Sequence, residues 1–187
     1  DSMLFINHEN KFKAISLPAT AQWSVTNELI ACDFDLDGNM DLFLCQNDLD
    51  GPEQMGVIDA GTGLVLRGKG DGTFTALTSE ESGIDLSSMQ SAAWVGDANG
   101  DALPDLWVHA NDMIRLFHGQ STRKGWRLTC EPIGLNVSSA VGAKIQIRGG
   151  KPQPVRSIHL DDGQSGHSGN GIIMPPLKGA EWLWIQW

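Results

Sequence analysis

The sequence predicts an all-β protein, with partial β-propeller-type repeats of short antiparallel strands followed by a small β-sandwich or barrel-like C-terminal domain. Three observations carry this. Short apolar runs alternate with clusters drawn from the chain's 22 glycines, as turns between many short strands require. No segment sustains a 3.6-residue apolar period, so almost no helix is expected. One pattern also recurs after about 60 residues, the size of a four-stranded propeller blade.

The recurring pattern begins with Leu4-Phe5-Ile6-Asn7 and Phe12, and passes to Ala31-Cys32 and an acidic loop ending at Asp41-Leu42-Phe43-Leu44. Its second copy begins with Leu64-Val65-Leu66-Arg67 and Phe74, and passes to Trp94-Val95 and a loop ending at Asp105-Leu106-Trp107-Val108. Each copy reads as strand, turn, Phe, linker, strand, acidic loop, strand. Both final strands run into Asn-Asp, at Asn47-Asp48 and Asn111-Asp112. Gly70-Asp71-Gly72 is a hairpin signal between Leu64-Val65-Leu66 and Phe74-Thr75-Ala76. Two copies cannot close a propeller, so their edges need missing chain, the C-terminal domain or a neighbouring subunit to cover them. Both ends of the sequence read as cut, suggesting a piece of something longer.

The pattern changes near Gly125, which divides the chain into repeats over 1–122 and a second β domain over 123–187. Trp126-Arg127-Leu128-Thr129-Cys130 alternates as a strand does. In Ala143-Lys144-Ile145-Gln146-Ile147-Arg148 the isoleucines face inward and the basic residues outward. After Gly149-Gly150 come a strand from Val155 to Leu160, a Gly-rich loop from Gly163 to Gly171, and a closing strand from Trp182 to Trp187.

The chemistry is concentrated in the acidic loops. The first places side-chain oxygens at Asp33, Asp35, Asp37 and Asp41, the second at Asp97, Asn99, Asp101 and Asp105, both at loop positions 1, 3, 5 and 9. Position 7, Asn39 or Leu103, offers a backbone carbonyl. Calcium takes six to eight oxygens in a flexible cage, and a loop with every second residue turned inward supplies them. An EF-hand would place Glu at position 12, where Leu44 and Val108 stand in apolar strands flanked by no amphipathic helix. Turn chemistry of Asp and Asn explains one or two such residues per loop, but not the same spacing twice. Two Ca2+ sites are therefore expected. On carboxylate count alone the first would bind more tightly.

Composition narrows the rest. A net charge of −10 leaves no basic surface for phosphate contacts, which argues against nucleic acid. No run of about 18 apolar residues is present to span a membrane. Cys32, Cys45 and Cys130 lack Cys-x-x-Cys spacing; a Cys32–Cys45 bridge is open, and buried free thiols are the favoured reading. His8, His109, His118, His159 and His167 show no metal spacing. Ser165 and Ser168 beside His167 do not form a nucleophile elbow. Gly68-Lys69-Gly70-Asp71-Gly72 is too short for a phosphate loop. Asn136-Val137-Ser138 is a glycosylation sequon. Trp94 and Trp107 read as core residues beside the second loop. No catalytic constellation stands out, and a non-enzymatic role is expected.

At the acidic loops the sequence resembles the FG-GAP/VCBS repeats of integrin-like β-propellers, whose loop reads roughly Asp-x-Asp-x-Asp-Gly-x-x-Asp-Leu. Asp33 to Leu42 matches throughout; Asp97 to Leu106 has Asn99 for the second Asp and Ala102 for the Gly. Leu64 to Phe74 resembles the family's strand-turn-Phe element, and Leu4 to Phe12 is a copy with His8-Glu9-Asn10-Lys11 at the turn. The C-terminal part resembles the ASPIC/UnbV domain of cartilage-acidic-protein-like proteins. The matching residues are Asn136, Ala140 to Ile145, Gly149-Gly150, Gly166-His167-Ser168 and Trp184 to Trp187; Ile172 to Leu177 departs from the family pattern. The resemblance implies calcium in the repeats and an extracytoplasmic setting, whether secreted, periplasmic or at the cell surface. The function expected is a calcium-stabilised binding or scaffolding module for a protein or glycan. The alternatives are a non-catalytic part of a secreted carbohydrate-active enzyme, or a structural subunit of a membrane-associated assembly.

Overall fold

The computed structural model describes residues 2–49, 60–129, 142–149, 155–157, 171–175, 179 and 181–186. The protein is all-β, as predicted. Its strands form several small antiparallel sheets, and the only helices among the described residues are the single turns Ala19–Gln22 and Ser79–Ser82. Two compact units are present. The first comprises Asp1–Cys32, Met40–Ala93 and Trp107–Arg115; the second comprises Asp33–Asn39, Trp94–Leu106 and Leu116–Trp187. Both acidic loops thus group with the C-terminal residues, and a boundary at 122/123 falls inside the second unit.

The first unit is built on β4 (Asp41–Gln46), all six of whose residues are buried. Its unbroken run Leu42-Phe43-Leu44-Cys45 is what a strand covered on both faces requires. β3 (Thr26–Cys32) flanks β4 on one side and β5 (Leu64–Gly68) on the other. β6 (Phe74–Ala76) completes a sheet of order β3-β4-β5-β6. Gly70-Asp71-Gly72 turns the chain between β5 and β6 as expected, with both glycines at positive φ and Asp71 Oδ1 accepting the Thr73 N–H at 2.9 Å. Leu42, Leu44, Leu64 and Leu66 pack with Leu17 and Ala21 into one core, with Leu4 against it.

Hydrogen bonding corrects the phase of the repeat. The sequence pattern begins with the strand-turn-Phe element, but β1 (Met3–His8) and β2 (Lys11–Ser16) form a two-stranded sheet of their own. The acidic hairpin β3–β4 instead pairs with the strand-turn-Phe element that follows it, because Leu42 and Leu44 find Leu66 and Leu64 in register on β5. The β1–β2 turn consists of Glu9 and Asn10, both at positive φ (51° and 63°). That conformation defines a type I′ turn, which Asn-Gly fits and Glu does not. Replacing Glu9-Asn10 with Asn-Gly is expected to raise stability by about 1 kcal/mol in thermal unfolding.

β7 (Gln90–Gly96), β8 (Asp105–Ala110) and β9 (Met113–Phe117) form a second sheet of order β7-β8-β9. Asn111 turns the chain between β8 and β9 with φ 52°. Trp94 and Trp107 are half-buried on β7 and β8. Cys32 pairs with Asp41 and Cys45 with Glu28, which puts the two thiols at opposite ends of the β3–β4 hairpin, with no disulfide between them. Burial, aided by the Glu28 charge, pushes the Cys45 thiol up to about 12.

In the second unit, β10 (Trp126–Thr129) pairs with β13 (Gly171–Met174), while β11 (Lys144–Arg148) lies between β12 (Arg156–Ser157) and β14 (Trp182–Gln186). Both sheets contribute to one core of Ala143, Ile145, Ile147 and Met174, with Leu128, Ile172 and Ile185 against it. The alternation of β11 is as predicted, with Ile145 and Ile147 buried and Lys144 and Arg148 exposed. Among the described residues the arrangement is of two small sheets sharing one core, with no closed barrel. Cys130, Asn136 to Ser138, His159, and the loop with Ser165, His167 and Ser168 lie outside the described residues. Among the described residues no helix is long and apolar enough to cross a membrane.

Candidate metal centre

The two acidic loops join β3 to β4 and β7 to β8, and they fold alike. Each has two residues at positive φ, at positions 4 and 6: Leu36 (58°) and Gly38 (91°) in the first, Gly100 (81°) and Ala102 (62°) in the second. These reversals let each inward side chain receive an N–H from further along its own loop. Asp33 accepts from Asp37 at 2.9 Å and Gly38 at 3.0 Å. Its counterpart Asp97 accepts from Gly100 at 2.8 Å and Ala102 at 3.2 Å. Asp35 accepts from Asp37 at 3.0 Å, and Asn99 from Asp101 at 3.0 Å. Asp37 accepts from Asn39 at 2.7 Å, and Asp101 from Leu103 at 2.9 Å. The spacing read from sequence therefore corresponds to closely similar loops, which differ in that Asp33 takes its nearer N–H from position 5 and Asp97 from position 4.

In the first loop, one carboxylate oxygen from each of Asp33, Asp35 and Asp37 lies within 4.8 Å of the others. Asp33 is fully buried, and burial pushes its carboxyl above the ordinary value of 3.8. The Arg156 guanidinium and the Gly38 and Asp37 N–H groups work against that rise, and the Asp37 charge adds to it. The second loop offers the carboxylates of Asp97 and Asp101 with the Asn99 amide, whose Nδ2 donates to Asp101 at 2.9 Å. Asn39 holds Asp37 in the same way, at 2.9 Å. Leu44 and Val108 are buried in strands, in keeping with the sequence argument against an EF-hand.

The ninth positions are engaged elsewhere. Asp41 Oδ1 accepts the Gly68 N–H at 2.8 Å. Asp105 accepts the Gly119 N–H at 2.8 Å, the Ala98 N–H at 2.7 Å, and lies 3.3 Å from His118 Nδ1. A Cβ at Gly68 would overlap the Met40 carbonyl, and one at Gly119 the Pro104 carbonyl, each the residue before its Asp. Gly68 and Gly119 are thus matching parts of the two loops, and their shared place after an apolar strand was the sequence signal for it.

Sequence reading also missed the cations. Arg156 Nη2 lies 3.5 Å from Asp33, Arg123 Nη1 3.4 Å from Asp35, and Arg127 Nη1 3.8 Å from Asp97. Ser121 and Arg123 also donate to the Asp35 carbonyl, at 3.1 and 2.9 Å. Gly125 lies where a Cβ would meet both the Ala102 carbonyl and Leu36. The stretch from Gly119 to Arg127 therefore touches both loops.

The donor set of the first loop suits a hard, oxygen-seeking cation. It offers closely spaced carboxylates, no thiol and no imidazole, in a loop already closed by its own N–H groups. No protein-family model matches this chain, and no curated protein matches it.

Proposed function

We propose that the chain is a calcium-binding, non-catalytic β-repeat module that acts outside the cytoplasm as a binding or scaffolding surface for a protein or glycan. The observation that carries this reading is the repetition of a closely similar loop, with Asp33, Asp35 and Asp37 gathered in the first copy. In it, Asp33, Asp35 and Asp37 hold one ion, and Asp97, Asn99 and Asp101 a second. Asn39 and Leu103 lend carbonyls, and Asp41 and Asp105 lock each loop to a neighbouring glycine N–H. When bound, the ion supplies positive charge to a cluster that otherwise repels itself. The resemblance to FG-GAP/VCBS repeats supports calcium and the extracytoplasmic setting.

Calorimetric titration of chelator-treated protein with calcium tests it. Two sites are expected, with affinities near 10⁻⁴–10⁻³ M as in extracellular modules. Asp37→Ala is expected to abolish one and Asp101→Ala the other. Absence of heat up to about 10 mM would reject the reading.

A second reading, a structural subunit covered by its neighbours, draws on β9. That edge strand exposes Met113 (55%), Ile114 (60%) and Leu116 (42%). Such an edge is a template for another strand. A strictly monomeric mass in sedimentation, with or without calcium, would count against a self-associating subunit.

A further inference from the structure

The three loop arginines all come from the second unit's C-terminal stretch, yet none was visible as part of a loop. Arg156 is the most enclosed, its side chain 14% exposed, against an Asp33 side chain at 0%. It is anchored from behind as well, Nη1 donating to the Ile173 carbonyl at 3.0 Å. Its Nη2 faces Asp33 Oδ2, the oxygen that also accepts from Gly38. Arg123 covers Asp35 through both its carboxylate and its carbonyl.

A buried carboxylate without a counter-charge is strongly destabilising, so a metal-free loop of this composition needs cations from somewhere. The chain provides them. At positions 1, 3 and 5, three carboxylates in the first loop face two guanidinium groups, and two carboxylates in the second face one. The first loop's extra carboxylate is thereby offset by its extra arginine.

We propose that Arg156 and Arg123 are resident counter-ions of the first loop that a divalent cation must displace, so that these arginines set the loop's affinity for metal. This rests on the calcium reading above and adds a regulation to it. A cation seeking Asp33 Oδ2 or the Asp35 carboxylate meets a guanidinium on the same oxygen. Either the guanidinium leaves, or two positive charges share one site at close range. Both routes weaken binding relative to the same loop without arginine. The first loop then loses the lead that its carboxylate count gives it over the second. Arg127 plays the corresponding part on Asp97.

The test is calorimetric titration with calcium chloride on the full chain, in an Asp101→Ala background that reports the first loop alone. Arg123→Gln is expected to tighten binding about threefold to tenfold, and Arg156→Gln about tenfold or more. Arg156→Lys, which keeps the charge, is expected to stay within about threefold of the parent. Arg127→Gln is expected to leave the first loop unchanged. Arg123 is half-exposed, so its variant keeps the test valid even where Arg156→Gln does not fold. Parent binding that is unchanged or weakened in Arg123→Gln and Arg156→Gln overturns it while leaving the calcium reading intact. No binding by parent or any variant up to about 10 mM overturns both.

Discussion

Replacement of Asn47 by alanine is expected to lower stability by about 4 kcal/mol, read as a loss of denaturant midpoint without loss of secondary structure type. The side chain is completely buried. Its Oδ1 accepts from the Ser24 hydroxyl at 3.0 Å and the Gly61 N–H at 2.8 Å. Its Nδ2 donates to the Gly61 carbonyl at 2.6 Å and shares protons with the Ser87 and Ser88 carbonyls at 3.2 and 3.3 Å. Truncation strands the Gly61 N–H and carbonyl away from water, each at a cost of about 1–3 kcal/mol, and takes one partner from the Ser24 hydroxyl. The backbone adds to this. Asn47 has φ 74°, a conformation that asparagine tolerates and alanine resists by about 1 kcal/mol. Asn47→Asp separates the two contributions, because it keeps the conformation while setting a charged acceptor against the Gly61 carbonyl. Asn111, its counterpart after β8, also has positive φ, and its N–H donates to the Met89 carbonyl at 3.0 Å. A loss below about 1 kcal/mol for Asn47→Ala would show that the network is not the support described here.

The second large effect follows from the calcium-binding function proposed above: the stabilisation that calcium is expected to confer, and its dependence on pH. At 10 mM calcium, with affinities in the extracellular range, each proposed site is expected to add about 1.5–3 kcal/mol to the folded state. That increment has an acid limit set by Asp33. Its folded-state pKa is raised above the ordinary 3.8, first by burial. In metal-free protein a raised carboxyl stabilises the fold fully below its unfolded value, and the contribution is lost as pH rises through the folded value. Calcium requires the ionised carboxylate, so its effect has the opposite sense. It is full at neutral pH and fades as pH falls through the raised Asp33 pKa, earlier than an ordinary carboxylate would allow. Thermal unfolding with and without calcium between about pH 8 and pH 4 is expected to show the two curves converging toward acid. A calcium increment that persists undiminished to the ordinary carboxylate range would remove Asp33 from the site.

Much of the architecture was legible before any coordinates. The Gly70-Asp71-Gly72 hairpin, the buried run of β4 and the alternation of Ile145 and Ile147 on β11 all follow from local pattern, and local pattern is what a sequence displays. The paired acidic loops were equally plain, because a loop that turns every second side chain inward needs Asp or Asn at every second place. What escaped was of two kinds. The arginines lie far along the chain from their partners, Arg156 by 123 residues from Asp33, and no periodicity marks such a pairing. Left-handed residues other than glycine, such as Glu9, Leu36 and Ala102, carry no compositional sign of the conformation their surroundings impose. The phase of the repeat escaped for a related reason. It depends on which edge of β4 finds an apolar partner in register, and adjacency in sequence does not decide that.

The stretch from Gly119 to Arg127 has a consequence for how damage would spread. It gives an N–H to Asp105, a hydroxyl and a guanidinium to the Asp35 carbonyl, a close approach to Ala102 and Leu36 at Gly125, and a cation to Asp97. Two loops that look like separate copies therefore share a single point of failure, located where no acidic residue stands. A side chain at Gly125 would press on the Ala102 carbonyl in one loop and on Leu36 in the other. The positions least tolerant of change around the acidic loops thus include a small residue with no carboxylate, and a side chain there would disturb both loops at once.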